Sequence, residues 1–382
     1  MLLKPRLLTP GPTPLLPEGL AAQSLATVHH RTPEFRALFR SARSGLRRFY
    51  RLDEGEEIAI LSCSGTGGLE ASLANACAPG DTVLVASAGK FGERWIKVAK
   101  AYGLTVVEVK APYGETFGLD AFRAAVKAAP KLAAFCVQEH ESSTGARHPV
   151  KAMAAILKEI QPEALVLVDA ITGVGVHDVR LSDGFDALVC GSQKALALQP
   201  GLAFLGLSKR YLAQLDAPHL PRFYFDLRNE LKAHEGDGTA WTPAIGLIAA
   251  LDAACRWLDG QGGVESLIAN AALQAKAFRA ALAEWGLPNF AKTPGDALTA
   301  VSVEGSSRIL KSLRDKAGLS LANGQGEMED HMIRVAHLGY TDGLDTLMVI
   351  QALEMAFAPH GVKIAAPGGP AAQAVLAASI KF

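Results

Sequence analysis

A chain of 382 residues is long enough for a sizeable core and for roughly two domains. With 49% hydrophobic and 20% charged residues it reads as globular, not disordered. Its 38 basic side chains balance 38 acidic ones, so no global field favours nucleic acid or an anionic membrane surface.

The opening residues 8–14, Leu-Thr-Pro-Gly-Pro-Thr-Pro, cannot be a helix, because proline removes donors and restricts its neighbours. Residues 1–18 therefore read as an extended arm. Arginines recur at helical spacing over 36–51, which predicts a solvated helix face. Strand-like and helix-like runs then alternate. Strands are expected over 58–61, 82–86, 105–110, 132–137, 164–168, 187–190 and 202–207, with helices over 69–77, 93–102, 119–129 and 150–160 between them. Continuous apolar strands separated by helices predict a mostly parallel sheet covered on both faces. From Pro243 the pattern changes to long helices over 243–258 and 264–285. Strands over 298–303 and 332–336 and helices over 306–317 and 344–357 follow, with a short alanine-rich tail helix after Pro370. The division expected is a large domain over 19–258 and a smaller α+β domain over 259–382.

The cysteines Cys63, Cys77, Cys136, Cys190 and Cys255 are scattered, mostly in apolar runs, without a CxxC, as expected for free thiols in a reducing compartment. Residues 1–5 show no apolar signal region, and no apolar run is long enough to span a bilayer. A cytoplasmic protein without a membrane partner is the expectation.

Chemistry concentrates where the expected strands end. Ser64-Gly65-Thr66-Gly67-Gly68 follows a strand and precedes a helix, a place where free N–H groups can hold a phosphate. It is not a GxGxxG, and no acidic residue ends the next strand, which disfavours a dinucleotide site. Phe91, just past the next strand, is placed to stack on a planar ring. The polar run Glu139 to Gly145 is expensive after a strand unless it faces solvent or a ligand; with no second histidine at ligand spacing, no metal is expected. Asp169 closes one strand and Lys194 follows the next one. Burial favours the neutral, nucleophilic lysine. A carboxylate beside it completes the pair that pyridoxal phosphate (PLP) chemistry needs: a lysine for the Schiff base and an acid for the pyridine nitrogen.

Taken in order, these motifs resemble the class V aminotransferases of PLP fold type I, in the alanine–glyoxylate, serine–pyruvate and serine–glyoxylate branch. The motifs that carry the resemblance are Thr9-Pro10-Gly11-Pro12-Thr13, His29 to Phe35, Ser64 to Gly67, Phe91-Gly92-Glu93-Arg94, His140 to Gly145, Val168-Asp169-Ala170, Gly191 to Ala195, Asn323 to Gly326 and Ile333 to Gly339. The resemblance implies that Lys194 forms the Schiff base and shuttles the proton, and that Asp169 pairs with the pyridinium nitrogen. It implies that Phe91 stacks on the ring with Ser64 and Ile171 also at the cofactor, that Gly65 and Thr66 hold the phosphate with Gln193 nearby, and that Ser142 touches the ring's polar edge. Arg334 would bind the substrate carboxylate, with Gly11 lining the substrate pocket. It further implies a homodimer with shared active sites, in which Thr239 or Thr242 reaches the partner's phosphate. Many relatives have tyrosine where Trp241 stands, so a phenolic donor is missing there.

The function so implied is transfer of an amino group from alanine or serine to glyoxylate or pyruvate. Alternatives are other transaminase substrates (aspartate, ureidoglycine, 2-aminoethylphosphonate, phosphoserine) or a non-catalytic subunit of a larger complex. A desulfurase is disfavoured, since no cysteine lies beyond Cys255.

Overall fold

The computed structural model describes residues 3–379 apart from 26, 218 and 219. A short arm strand, β1 (Arg6–Leu7), precedes helices α1 (Pro17–Gln23) and α2 (Pro33–Tyr50). The alternating region follows as β2 (Glu57–Leu61), α3 (Gly65–Ala74), β3 (Thr82–Ser87), α4 (Lys90–Ala101), β4 (Thr105–Lys110), α5 (Leu119–Ala128) and β5 (Ala134–Gln138). A small hairpin, β6 (His140–Glu141) and β7 (Ala146–Arg147), leads to α6 (Val150–Ile160), β8 (Leu165–Asp169), β9 (Ala187–Gly191) and β10 (Ala203–Leu207). Helices α7 (Lys209–Ala213), α8 (Leu227–Glu235), α9 (Ile245–Gly260) and α10 (Val264–Trp285) come next. The last part holds β11 (Leu298–Ser302), α11 (Ser306–Ala317), β12 (Leu319–Ser320), β13 (Ala322–Asn323), β14 (Met332–Ala336), α12 (Gly343–Phe357) and α13 (Gly369–Ala377).

Seven strands form the main sheet in the order β2-β10-β9-β8-β5-β3-β4. Only β10 runs antiparallel to its neighbours; the other pairings are parallel. The central strands β5, β8, β9 and β10 are buried along their whole length, which is why they read as continuous apolar runs instead of alternating ones. One face packs against a core with Phe35, Phe39, Leu157 and Leu251, the other against a core with Leu69, Trp95 and Tyr211. A separate core, with Phe278, Trp285, Ile333, Leu353 and Phe357, sits under the antiparallel strands β11-β14-β13.

The strands and helices expected over 58–357 all form, with ends shifted by a few residues. Two shifts matter. Helices α3 and α4 start at Gly65 and Lys90, so residues expected as loops before them are their first turns. Packing of α3 on β9 and β10 overrides the low helical propensity of its glycines. The arginine face of α2 is also more than a solvated one: Arg40, Arg43, Arg48 and Arg51 pair with Asp237, Glu57, Asp259 and Asp178. Half-exposed pairs of this kind add little stability each.

The arm does not stand free. Arg6 and Leu7 pair in parallel with Leu319 and Ser320, and Leu8 is buried in the C-terminal core. From there the arm crosses to the main sheet, where the Thr13 hydroxyl donates to the Lys194 carbonyl at 3.0 Å.

Candidate active site

Parallel strands end together on one edge of a sheet, and ligands bind there in open α/β folds. A cavity of about 340 Å³ occupies that edge. Of the expected site residues, Gly11, Ser64, Gly65, Thr66, Phe91, Ser142, Asp169, Ile171, Gln193 and Lys194 all line it. Arg334 lies beside it on β14, buried, with Nη1 donating to the Ser142 carbonyl at 2.7 Å and Nε to the Asn323 carbonyl at 2.8 Å. Thr239 and Thr242 are elsewhere: they line a small pocket with Ser62, Tyr224 and Trp241.

Lys194 is buried, and its Nζ donates to the Pro10 carbonyl of the arm. Burial pulls its ammonium down to about 8, against the smaller opposing pull of Asp169. Gly11, with φ of 139°, makes this approach possible, since a Cβ there would lie 2.6 Å from Lys194 Cε. Asp169 ends β8 as a buried carboxyl. Its Oδ1 accepts from the Ile171 N–H at 3.0 Å, which closes a local turn. Its Oδ2 has no hydrogen-bond partner among the described residues. Burial lifts this carboxyl to about 7, with the charge of Glu141 adding to the rise.

The polar run after β5 was expected to face solvent or a ligand. Most of it is instead buried and satisfied internally. Glu139 accepts from Arg147 Nε at 2.8 Å and pairs with His177 Nδ1 at 2.9 Å, and the hydroxyls of Ser142 and Thr172 bond at 2.6 Å. His140 is the exception: it is buried at the cavity wall, and neither ring nitrogen has a hydrogen-bond partner among the described residues.

Arg94, Thr172 and His140 also line the cavity, and sequence reasoning assigned none of them a site role. For Arg94 the signal was available. It stands three residues after Phe91 on one helix, and such residues share a face. Its guanidinium lies 4.7 Å over the Phe91 ring, Nη1 donates to Thr66 Oγ1 at 3.0 Å, and no carboxylate pairs with it among the described residues.

These residues fit PLP. A buried carboxylate oxygen without a partner suits a protonated ring nitrogen. A desolvated lysine suits capture of an aldehyde. The α3 N-terminus, whose Ser64 makes no side-chain cap, suits a phosphate, with an uncompensated arginine next to it. An α/β sheet with a lysine and an acid at adjacent strand ends defines a PLP enzyme of fold type I. The comparisons narrow this further. The family model for aminotransferase class-V matches residues 18–326, and the chain belongs to that family. It is 35% identical over 350 residues to an uncharacterized aminotransferase of Helicobacter pylori, covering 92% of this chain and 93% of that protein. It is 31% identical over 372 residues to the L-aspartate–glyoxylate aminotransferase of Paracoccus denitrificans, covering 95% and 93%. The crystal structure of an alanine–glyoxylate aminotransferase from Nostoc superposes with a TM-score of 0.85 at 28% identity, covering 93% of this chain and 96% of that one. The protein is a PLP-dependent aminotransferase.

One prediction arises directly from Lys194. Only its neutral form attacks an aldehyde, and its ammonium gives up the proton at about 8. The rate at which the cofactor-free protein takes up PLP should therefore rise about tenfold per pH unit below that point and level off above it. Growth of the visible absorption band after mixing measures it. A rate flat from about pH 6 to about pH 9 would contradict the assignment.

Proposed function

We propose that this enzyme moves an amino group from alanine or serine to glyoxylate or pyruvate. The observation that carries this reading is the meeting of Lys194 and Asp169 in one cavity with the buried fork of Arg334 beside it. PLP, when bound, supplies an electron sink for the carbanion formed at the substrate Cα. The chain's own residues do the rest. Lys194 Nζ takes the proton from the substrate Cα and returns it on the other side of the transfer. Asp169 keeps the ring nitrogen protonated. Phe91 stacks on the ring, Ser142 meets its polar edge, and Ser64, Gly65, Thr66 and Gln193 hold the phosphate, with Arg94 as the countercharge. Arg334 fixes the substrate carboxylate as a planar fork, which a lysine could not do in the same geometry.

Glyoxylate is the better supported acceptor, because it appears in the names of both the Paracoccus and the Nostoc relatives. For the donor, a second reading has support of its own. The Paracoccus relative is named for aspartate, a donor with a second acidic group. The test is the visible spectrum of the holoenzyme with L-alanine, L-serine or L-aspartate, followed by glyoxylate. Bleaching by alanine or serine and recovery with glyoxylate is the expected result. Bleaching by aspartate alone moves the donor. No response to any of them overturns the substrate class.

The dimer belongs to the same proposal. Phe223 is 75% exposed and packs on Trp241, whose ring also stacks on Tyr224 at 5.9 Å. An aromatic patch of this kind, next to Thr239 and Thr242, supports an interface through which these threonines reach the partner's phosphate. Sedimentation at micromolar concentration should give twice the chain mass; a monomer that retains full activity overturns the shared site. Among the described residues no helix is long and apolar enough to cross a membrane, and the unpaired cysteines support a cytoplasmic location.

A further inference from the structure

We infer that Glu141 is a positioning residue, whose one buried carboxylate fixes the stacking plate, the polar edge and the carboxylate fork of the active site together. The inference rests on the roles proposed above for Phe91, Ser142 and Arg334. Glu141 is fully buried and touches none of the cavity, yet it accepts four hydrogen bonds. Oε2 takes the backbone N–H groups of Phe91 at 3.1 Å and Gly92 at 3.2 Å. Oε1 takes the Ser143 N–H at 3.1 Å and the Ser143 hydroxyl at 2.5 Å. The Ser143 hydroxyl in turn accepts from the Lys90 N–H at 3.1 Å.

Helix α4 has no cap of its own, since Gly89 offers no side chain. Its orphan N–H groups are met from the β6–β7 hairpin, and a negative charge at that end is favoured. The first turn of α4, which carries the Phe91 ring, is thereby tied to a strand end 50 residues away in sequence. Ser142 sits between the two anchored residues. Its hydroxyl bonds Thr172 and its carbonyl receives Arg334. A shift of the Glu141 carboxylate is therefore transmitted to all three. The same negative charge acts on Arg334, favouring the cation against the cost of burial.

Gly89 supplies a clean test. Its φ of 171° is extended backbone open to any residue, but a Cβ there would lie 2.5 Å from Glu141 Cγ and 2.6 Å from Ser143 Oγ. Gly89→Ala thus displaces the carboxylate without touching the cavity, and Glu141→Gln removes its charge in nearly the same shape. Each variant is studied as holoenzyme by visible circular dichroism per bound PLP and by kcat and KM for the amino donor. The expected result is a changed dichroism, by about twofold or more, and a KM raised about tenfold, with kcat falling less. Wild-type dichroism and KM in both variants, with only the melting temperature lowered, would overturn the inference in favour of a purely structural carboxylate. If Glu141→Gln does not accumulate, Gly89→Ala decides; if neither does, Ser143→Ala, which removes one accepted bond, is read by the same criteria. Phe91→Ala and Arg334→Ala serve as controls. If these leave the dichroism and KM unchanged, it is the proposed site roles that fail, not the part played by Glu141.

Discussion

Lys194→Ala is expected to lower kcat by about 10⁴-fold or more, because it removes both the nucleophile and the proton carrier in one change. The fold should survive. Lys194 is not part of a hydrophobic core, and among the described residues its only side-chain hydrogen bond is to the Pro10 carbonyl. The variant should therefore still bind PLP through its phosphate and ring contacts, and still accept the amino donor at Arg334. What it should lose is proton transfer at the substrate Cα. A small primary amine added to the buffer should restore part of that step, since it supplies a free base to the cavity the side chain has left. Stopped-flow absorbance with the amino donor, with and without the added amine, measures this. A variant that turns over at the wild-type rate would sink the assignment of Lys194, whatever the substrate pair.

Asp169→Asn should lower kcat by about 10²- to 10³-fold, the usual effect of removing one preorganised charge from a site. The substitution is chosen because the Asn oxygen can still accept the Ile171 N–H, as Oδ1 does at 3.0 Å. Geometry stays and charge goes. In the cofactor-free protein this carboxyl ionises at about 7 because burial raises it. The ionised form therefore dominates only above that pH, and a cationic ring nitrogen bound to it extends ionisation to lower pH. PLP affinity of the wild type should accordingly weaken as pH falls below about 7. The Asn variant should lack that dependence. Titrating PLP into both proteins across this range, by absorbance, tests the pair; an Asn variant with wild-type kcat would refute the role given to Asp169.

Much of this site was legible because its residues stand at the ends of apolar runs. Asp169 and Lys194 are read from the chain since a buried strand gives each its place, and Phe91 likewise follows one. What was illegible depends on partners far apart in sequence. Glu141 looked like part of a polar run open to solvent or ligand, and nothing in its neighbours tells that the N–H groups of Phe91 and Gly92 come to it. The contact of Arg94 with Thr66 crosses from one helix to another and follows no period. Helix starts at Gly65 and Lys90 were missed because glycine signals a loop locally, while packing against the sheet decides otherwise. The arm was recognised as extended from its prolines, but its pairing with residues 319–320 leaves no trace in either segment.

That pairing bears on the order in which the molecule can be completed during its synthesis. Residues 6–13 leave the ribosome early, yet they wait for partners at 193–194 and 319–320. Until then the lysine has no carbonyl cap from Pro10 and the C-terminal core lacks Leu8. Contacts of such long sequence separation form slowly, so the main sheet can be assembled well before the enzyme is competent. A nascent chain stopped short of residue 319 would hold the cofactor cradle of the sheet and still lack Arg334 and the strand that anchors the arm.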